Sequence, residues 1–399
     1  VQISESALAR LQLIIRPQPG ANPTPDLRAL EQKIVEAVRS WTDELRGILV
    51  QKYGEDPGLR WAAQIGGAFP AAYIEDVSPW VASFDVEKVA ALEDEHDLDM
   101  SLYRPRARES GIIRFKLFRC DRPIPLSTVL PILENLGLHI VSERPYELRL
   151  PDERTVWIQD FDMVYATAGD LSLELVRGNF QEAFDCIHRG ITVSDGFNRL
   201  ILGCQLTWRQ VKMLRAYCKY LLQTGSPFSL TYMSDTLSRH PLLARLLWEL
   251  FDTLFNPGRD EESDFRRKKA QKYLRRDLDS LAAGGRDPVM AEYLDDMVKA
   301  RQRRRATQVK TVRRAFVRGL NSVTSLDEDR ILHAFYSVMM ATLRTNYYQA
   351  GENGLVHEYM SFKLDSSKVP DLPRPTPYRE IWVFSPRVEG IHLRMGPVA

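Results

Sequence analysis

The chain has 399 residues, 44% of them hydrophobic and 27% charged, with a formal net charge of +1. That is ordinary globular composition, enough for about two to four cores at roughly 100–200 residues per domain. The near-neutral balance excludes a global pull toward nucleic acid or anionic membrane, and no apolar run reaches the roughly 18 residues that a membrane span needs.

Cys120, Cys186, Cys204 and Cys218 form no C-x-x-C pair. Structural zinc is therefore not expected, and a reducing, cytoplasmic compartment is. No basic segment precedes an apolar one at the start, so a signal peptide is not expected. Val1 is not Met, and Gly396–Pro397–Val398–Ala399 reads as interior sequence, so both ends are expected to be cuts.

In chain order, residues 8–16 alternate as a strand, and five prolines and glycines between 17 and 25 break it. From Leu27 to Tyr53 the spacing of Leu30, Ile34, Val38, Trp41, Leu45 and Leu49 predicts one long helix. A second helix is expected over 79–95, followed by acidic loops up to Gly111. Ile113, Phe115 and Leu117 alternate with Arg114 and Lys116, a half-buried strand. After the Pro123 and Pro125 turn, Leu126, Val129, Leu130, Leu133 and Leu136 give a short helical face that Gly137 ends. Pro131 within it is expected to be tolerated only near the first turn. Leu138–Val141, Tyr146–Leu150 and Val156–Tyr165 read as extended, and Phe180, Phe184 and Ile187 as a helix. The order β-α-β-β-α predicts a single sheet with helices on one face, with a last strand unplaced.

Beyond residue 195 strand signals vanish. Thr207-x-x-Gln210 is a capping-box pattern, opening a helix that Gly225 and Pro227 end. Further helices are expected over 230–239, 241–255, 264–283 and 289–318, the last two very polar. Ser325-x-x-Glu328 opens another, whose face runs Leu332, Phe335, Met339, Leu343 and Tyr347. Four prolines within 365–379 predict a stiff, extended connector. Strands resume at Ile381–Phe384 and Ile391–Arg394.

Chemical motifs are sparse. There is no G-x-G-x-x-G and no G-x-x-x-x-G-K-[ST]. Gly66–Gly67 and Gly284–Gly285 read as turns. His357–Glu358 lacks the second histidine of a zinc-protease helix, and Asp160 and Asp162 share one strand face, where solvation is the ordinary outcome. Cys120 stands between Arg119 and Arg122, which would favour a thiolate, although a buried small residue is the ordinary reading. Residues 259–318 hold eighteen Lys or Arg against ten Asp or Glu, concentrated at Arg303, Arg304, Arg305, Lys310, Arg313 and Arg314. That stretch suits phosphate backbones, but it has no interleaved aromatics and reads equally well as a solvated helix face or an interface. At Arg122–Pro123–Ile124–Pro125–Leu126 a strand turns into a helix, whose free N–H groups favour a carboxylate. An amino-acid effector could dock there, the alternative being a plain rigid turn.

Three long segments carry a resemblance. Ser361–Ala399, Ser325–Gln349 (SLDEDRILHAFYSVMMATLRTNYYQ) and Asp121–Tyr146 (DRPIPLSTVLPILENLGLHIVSERPY) resemble the large NAD-specific glutamate dehydrogenases, and the likeness runs over most of the chain. The polar stretch around 264–318 matches less well than its flanks.

The resemblance implies an α+β fragment: ACT-like β-α-β-β-α modules, an all-helical region, and the first strands of an α/β dehydrogenase domain. Residues 1–110 would be a partial ACT-like regulatory region, 111–192 an ACT-type module and 193–350 a helical region. Residues 351–379 would be a Pro-rich connector and 380–399 the truncated start of the substrate-binding catalytic domain. Arg394, Gly396 and Pro397 would lie at that domain's edge. The Gly-Gly substrate segment, the catalytic lysine and aspartate, and the NAD-binding domain would follow Ala399, so the fragment alone would be inactive. The resemblance further implies a homo-oligomer in amino-acid catabolism, with no membrane partner, regulated by an amino-acid effector. The alternatives are an oligomerisation scaffold without sensing, or nucleic-acid binding through 259–318.

Overall fold

A computed structural model describes Arg28, Glu31 and residues 40–94, 96–105, 111–166, 171–281, 288–351 and 354–396. The expected strand at 8–16, Gly284–Gly285 and Pro397 fall outside these residues. The chain divides into two compact units, Val1–Ala90 and Ala91–Ala399.

The first unit is helical: α1 Trp41–Tyr53, α2 Glu55–Trp61, a π turn at Ala62–Gly66, α3 Ala71–Asp76 and α4 Pro79–Ala90. The long helix expected over Leu27–Tyr53 is interrupted. Ser40 is extended (φ −69°, ψ 152°) and its side chain accepts from the Asp43 N–H, so it caps a new helix. The helix expected over 79–95 ends at Ala90. Leu45, Leu49, Tyr73, Val86 and Val89 form a small core, and the Trp41 indole donates to the Val77 carbonyl at 2.8 Å.

The second unit opens with an antiparallel sheet: β1 Leu98–Tyr103, β2 Ile112–Cys120, β3 Leu138–Arg149 and β4 Thr155–Tyr165. The spatial order is β1-β2-β4-β3. Helices α5 Leu126–Asn135 and α6 Leu173–His188 connect β2 to β3 and follow β4. The unplaced strand is therefore β1, which precedes β2 in the chain, in the stretch read as acidic loops. Strand–helix–strand–strand–helix with the edge strand supplied first gives the sheet of the β-α-β-β-α-β motif from a shifted starting point. The two extended runs read at 138–141 and 146–150 are one strand, with a register shift between Ile140 and Ser142. Pro131 is the sixth residue of α5 and is exposed, so its missing N–H does not face the core.

One face of this sheet is apolar, with the buried Phe115 ring 5.1 Å from both Phe180 and Phe184 of α6. The other face carries charge. Asp160 is fully buried rather than solvated, 3.8 Å from Arg114 and 3.9 Å from Lys116. Asp162 pairs with Arg114 at 2.8 Å and with Arg144. Burial opposes its charge, but the two guanidiniums prevail and hold its pKa below the usual carboxylate value.

The helical layer follows: α7 Arg199–Gly203, α8 Trp208–Gln223, α9 Leu230–Arg239, α10 Pro241–Phe255, α11 Gly258–Glu261, α12 Asp264–Leu281, α13 Pro288–Ala300, α14 Arg305–Leu320 and α15 Leu326–Ala341. The stretch 289–318 is two helices rather than one, parted by a turn at 301–304. The Thr207 capping box is complete, Gln210 reciprocating to the Thr207 N–H at 2.9 Å. At Ser325 the hydroxyl accepts from Glu328 N, while the Glu328 carboxylate serves Arg239 and His240 instead.

Helix α15 stops at Ala341, and the chain enters a second sheet in the order β5-β6-β7-β8 (Thr342–Thr345, Met360–Leu364, Arg379–Phe384, Glu389–Arg394). Leu343, placed on the helical face by its spacing, is therefore in a strand and 42% exposed. Two strands that the sequence did not mark, β5 and β6, flank the segment around 346–359. The first sheet with α5 and α6, the helical layer and the second sheet share one apolar core running from Met100 to Phe384.

Candidate functional site

The turn from β2 into α5 is held rigidly. Asp121 takes a left-handed backbone (φ 65°), and its N–H bonds the Thr155 carbonyl at 2.8 Å. Ile124 is buried, its N–H donating to Gln159 Oε1 at 2.8 Å and its carbonyl accepting from Gln159 Nε2 at 3.0 Å. Arg122, Pro125 and Leu126 are exposed, Pro123 half-buried, and no side chain caps the start of α5. The expected effector residues are thus brought together as an exposed helix start carrying one arginine.

Cys120 is 3% exposed, and burial pushes its thiol pKa up against the pull of Arg154. Arg119 and Arg122 do not make it a thiolate. Burial likewise pushes Cys186 up to about 11 and both Cys204 and Cys218 to about 12, the behaviour of inert core thiols.

Helix α8 is the axis of the second unit. Arg215 is 1% exposed and grips Asp195 through Nε and Nη2, both at 2.8 Å, and Asn198 at 2.6 Å. Strand β7 also bonds to this helix. The fully buried Trp382 donates its indole N–H to the Ala216 carbonyl at 2.9 Å, and the Tyr220 hydroxyl donates to Glu380. Near its start, Lys212 is 3% exposed and donates to the Glu358 carbonyl at 2.5 Å. Burial, aided by Arg209, lowers its pKa to about 8. Sequence spacing marked α8 as a helix, but its role as a common support depends on partners as far as 166 residues away.

Part of the polar stretch is paired. Arg301 meets Glu262 at 2.7 Å, Arg305 meets Asp260 at 2.8 Å, and Arg259 is buried against Glu249 and Asp252. On α14, Lys310, Arg313, Arg314 and Arg318 line a cleft of 430 Å³. The aromatic partners that local sequence did not show arrive through the fold, as Tyr293 from α13 and Tyr336 from α15.

Arg394 lies at the edge strand β8, and its carbonyl accepts from the Tyr378 N–H at 2.6 Å. Gly396 is exposed. No helix among the described residues is long and apolar enough to cross a membrane.

Family models for glutamate dehydrogenases match five segments in succession. They are the ACT2 domain (1–42), helical motif 2 (48–92), the ACT3 domain (97–176), helical motif 3 (192–257) and the catalytic domain of bacterial NAD-glutamate dehydrogenase (315–399). Among curated relatives, the NAD-specific glutamate dehydrogenase of Halomonas elongata is 38% identical over the whole chain and 22% of its own length. That of Pseudomonas aeruginosa is 39% identical over 99% of the chain and 22% of its own length. That of Mycobacterium tuberculosis is 32% identical over the whole chain and 23% of its own length. The chain thus spans between a fifth and a quarter of the length of these relatives.

Proposed function

Since the chain belongs to the family of bacterial NAD-glutamate dehydrogenases, we propose that it is the regulatory and supporting region of such an enzyme, leading into its catalytic domain. The parent reaction would be oxidation of L-glutamate, with water, to 2-oxoglutarate and ammonia, the hydride passing to NAD. The 399 residues contain no G-x-G-x-x-G turn, so the dinucleotide site is assigned to another part of the parent.

The observation that carries this reading is the double use of α8. Its Arg215 holds the end of the segment that follows α6, and its Ala216 and Tyr220 seat β7, inside the stretch matched by the catalytic-domain model. A helix bonded to both segments can transmit a small displacement between them. The sensing element would be the start of α5, where Arg122 and the uncapped N–H groups suit an amino-acid carboxylate. The same architecture supports assembly of several subunits, and Arg394, Gly396 and Pro397 would border the substrate-binding domain.

The test uses the full-length parent enzyme and a panel of amino acids. Arg122→Ala should raise the half-saturating effector concentration by roughly 10–100-fold, the loss of a charge-assisted hydrogen bond being about 1.5–3 kcal/mol, while KM for glutamate stays constant. An effector response identical to that of the unmodified enzyme for every amino acid would remove the assignment.

A further inference from the structure

We propose that the cleft between α13, α14 and α15 binds a small metabolite carrying a polyphosphate group. The site is distinct from the β2–α5 turn, its Lys310, Arg313 and Arg314 lie between the two flanking family matches (192–257 and 315–399), and it does not rest on the effector reading above.

Lys310, Arg313 and Arg314 stand at positions i, i+3 and i+4 of α14, so their side chains emerge as neighbours. All three are exposed and line the cleft of 430 Å³ together with the half-buried Arg318, and no carboxylate lines it with them. Among the described residues none of the three has an ion-pair partner, a condition they share with other cations of the stretch, but these three stand together on a cleft. Like charges at this spacing weaken a helix, so an anion placed among them would relieve a cost that the fold itself leaves standing.

Two of the cations are also held in place. Arg313 Nε donates to the Tyr336 hydroxyl at 2.7 Å, which fixes the guanidinium plane and leaves its two outer nitrogens for another acceptor. Tyr336 is itself stacked on the buried Phe316, centroids 5.2 Å apart and planes 10° from parallel. The Arg314 guanidinium lies 5.2 Å over the Tyr293 ring. Pre-organised guanidiniums lose little freedom on binding and offer paired N–H groups in the geometry that phosphate oxygens accept. The charge argues for the class of ligand. One carboxylate leaves most of the cations lining the cleft uncompensated, whereas a di- or triphosphate carries enough charge to meet Lys310, Arg313 and Arg314 together. The cleft volume lies within the usual range for small-molecule sites, about 300–1,000 Å³.

The experiment is calorimetric titration of the whole chain with inorganic pyrophosphate, ATP and citrate, at low and at moderate salt. One site per chain for pyrophosphate or ATP is expected. ATP binding more tightly than pyrophosphate would identify a nucleotide, and equal affinity a polyphosphate group alone. Arg313→Ser and Arg314→Ser should each weaken binding roughly tenfold or more, since each removes a charge-assisted contact, while Arg122→Ser leaves it unchanged. Should either variant fail to fold by circular dichroism, amide-exchange protection of residues 306–321 by pyrophosphate in the unmodified chain decides the question. The proposal is overturned by silence at low salt, by binding indifferent to both substitutions, by citrate binding as tightly as pyrophosphate, or by a short RNA that displaces pyrophosphate and binds more tightly.

Discussion

Gln159 on β4 and Ile124 in the β2–α5 turn exchange two hydrogen bonds, the carboxamide taking the Ile124 N–H at 2.8 Å and giving its own to the Ile124 carbonyl at 3.0 Å. A side chain here does what a neighbouring strand would do, satisfying both backbone groups of a buried residue that belongs to no strand. Gln159 is 3% exposed. Gln159→Leu keeps the bulk and strands both groups, at about 1–3 kcal/mol for each buried unsatisfied partner. Denaturant unfolding should report that loss, and the Ile124 amide should exchange faster. Unchanged exchange at Ile124 would show that the turn is held by other means.

The turn could be read from the sequence as a strand-to-helix corner, because its prolines act locally. Gln159 could not be read as its anchor, since the pairing spans thirty-five residues. The same division runs through the fold. Helices α9 and α10 were legible to the residue at 230–239 and 241–255, because caps, prolines and apolar spacing are local signals. Strands β1, β5 and β6 were missed. Each has four to six residues, and each is extended because a partner strand is present rather than because its own sequence insists. The break at Ser40 was hidden because the apolar spacing runs on through it. In the candidate cleft, the Lys310, Arg313 and Arg314 cluster was visible as a charge run. Tyr293 and Tyr336 were not, because they meet it only once α13, α14 and α15 have packed.

The contact between Trp382 and α8 gives a second prediction. The indole is fully buried, bonded to Ala216, and 6.0 Å from the Tyr220 ring. Trp382→Ala should cost about 3–5 kcal/mol, the range for large-to-small changes at buried aromatics. Trp382→Phe should recover most of the packing and lose only the bond. A denaturant midpoint for the alanine variant within error of the original would mean that the second sheet is not seated on α8.

Arg215 and Asp195 form a second contact of α8. Asp195 also caps a short 3-10 turn by accepting from the Phe197 N–H at 3.0 Å. Replacing Arg215 by Met leaves the carboxylate and the Asn198 carbonyl oxygen without their donor. Breaking one partner of a buried pair costs about 3–5 kcal/mol, and because Asp195 retains 18% side-chain exposure the lower end is expected. A double-mutant cycle with Asp195→Asn should return a coupling of about 1 kcal/mol or more. Strict additivity would reduce the pair to two independent contacts.

Alkaline pH separates two opposing groups of side chains. The thiols of Cys186, Cys204 and Cys218 are raised by burial to between about 11 and about 12, from an ordinary 9.0. An acid raised on folding contributes stability that is present below its unfolded pKa and is lost as pH climbs toward the folded value. The chain should therefore weaken above about pH 9. Lys212 acts in reverse. Its pKa falls from 10.5 to about 8 on folding, so the unfolded chain holds the extra proton between these values and stability rises with pH across that window. Lys212→Met removes this contribution together with the bond to the Glu358 carbonyl, whose loss does not vary with pH. The difference in unfolding free energy between the unmodified chain and the variant should move in favour of the unmodified chain by about 2 kcal/mol from pH 7.5 to 10. A difference flat with pH would show that Lys212 stays charged in the folded state.

Two glycines in adjacent helices of the first unit should respond to the same substitution with opposite signs. Gly47 lies in α1, exposed, and a Cβ added there meets nothing within 4 Å. Gly47→Ala should stabilise by about 0.5–1 kcal/mol, since alanine restricts the unfolded chain and has the higher helix propensity. Gly58 lies in α2, where an added Cβ would stand 2.6 Å from both the N and the Cα of Val50 and 2.8 Å from the Leu49 carbonyl carbon. Those are backbone atoms of α1, which cannot turn aside as a flexible side chain would. The gain in propensity is of order 1 kcal/mol, and forcing the two helices apart costs about 1–3 kcal/mol or more. Gly58→Ala should therefore destabilise the α1–α2 pair. Thermal unfolding followed by the fluorescence of Trp41 and Trp61 compares the two variants directly. A Gly58→Ala chain as stable as the Gly47→Ala chain would mean that the two helices do not approach this closely.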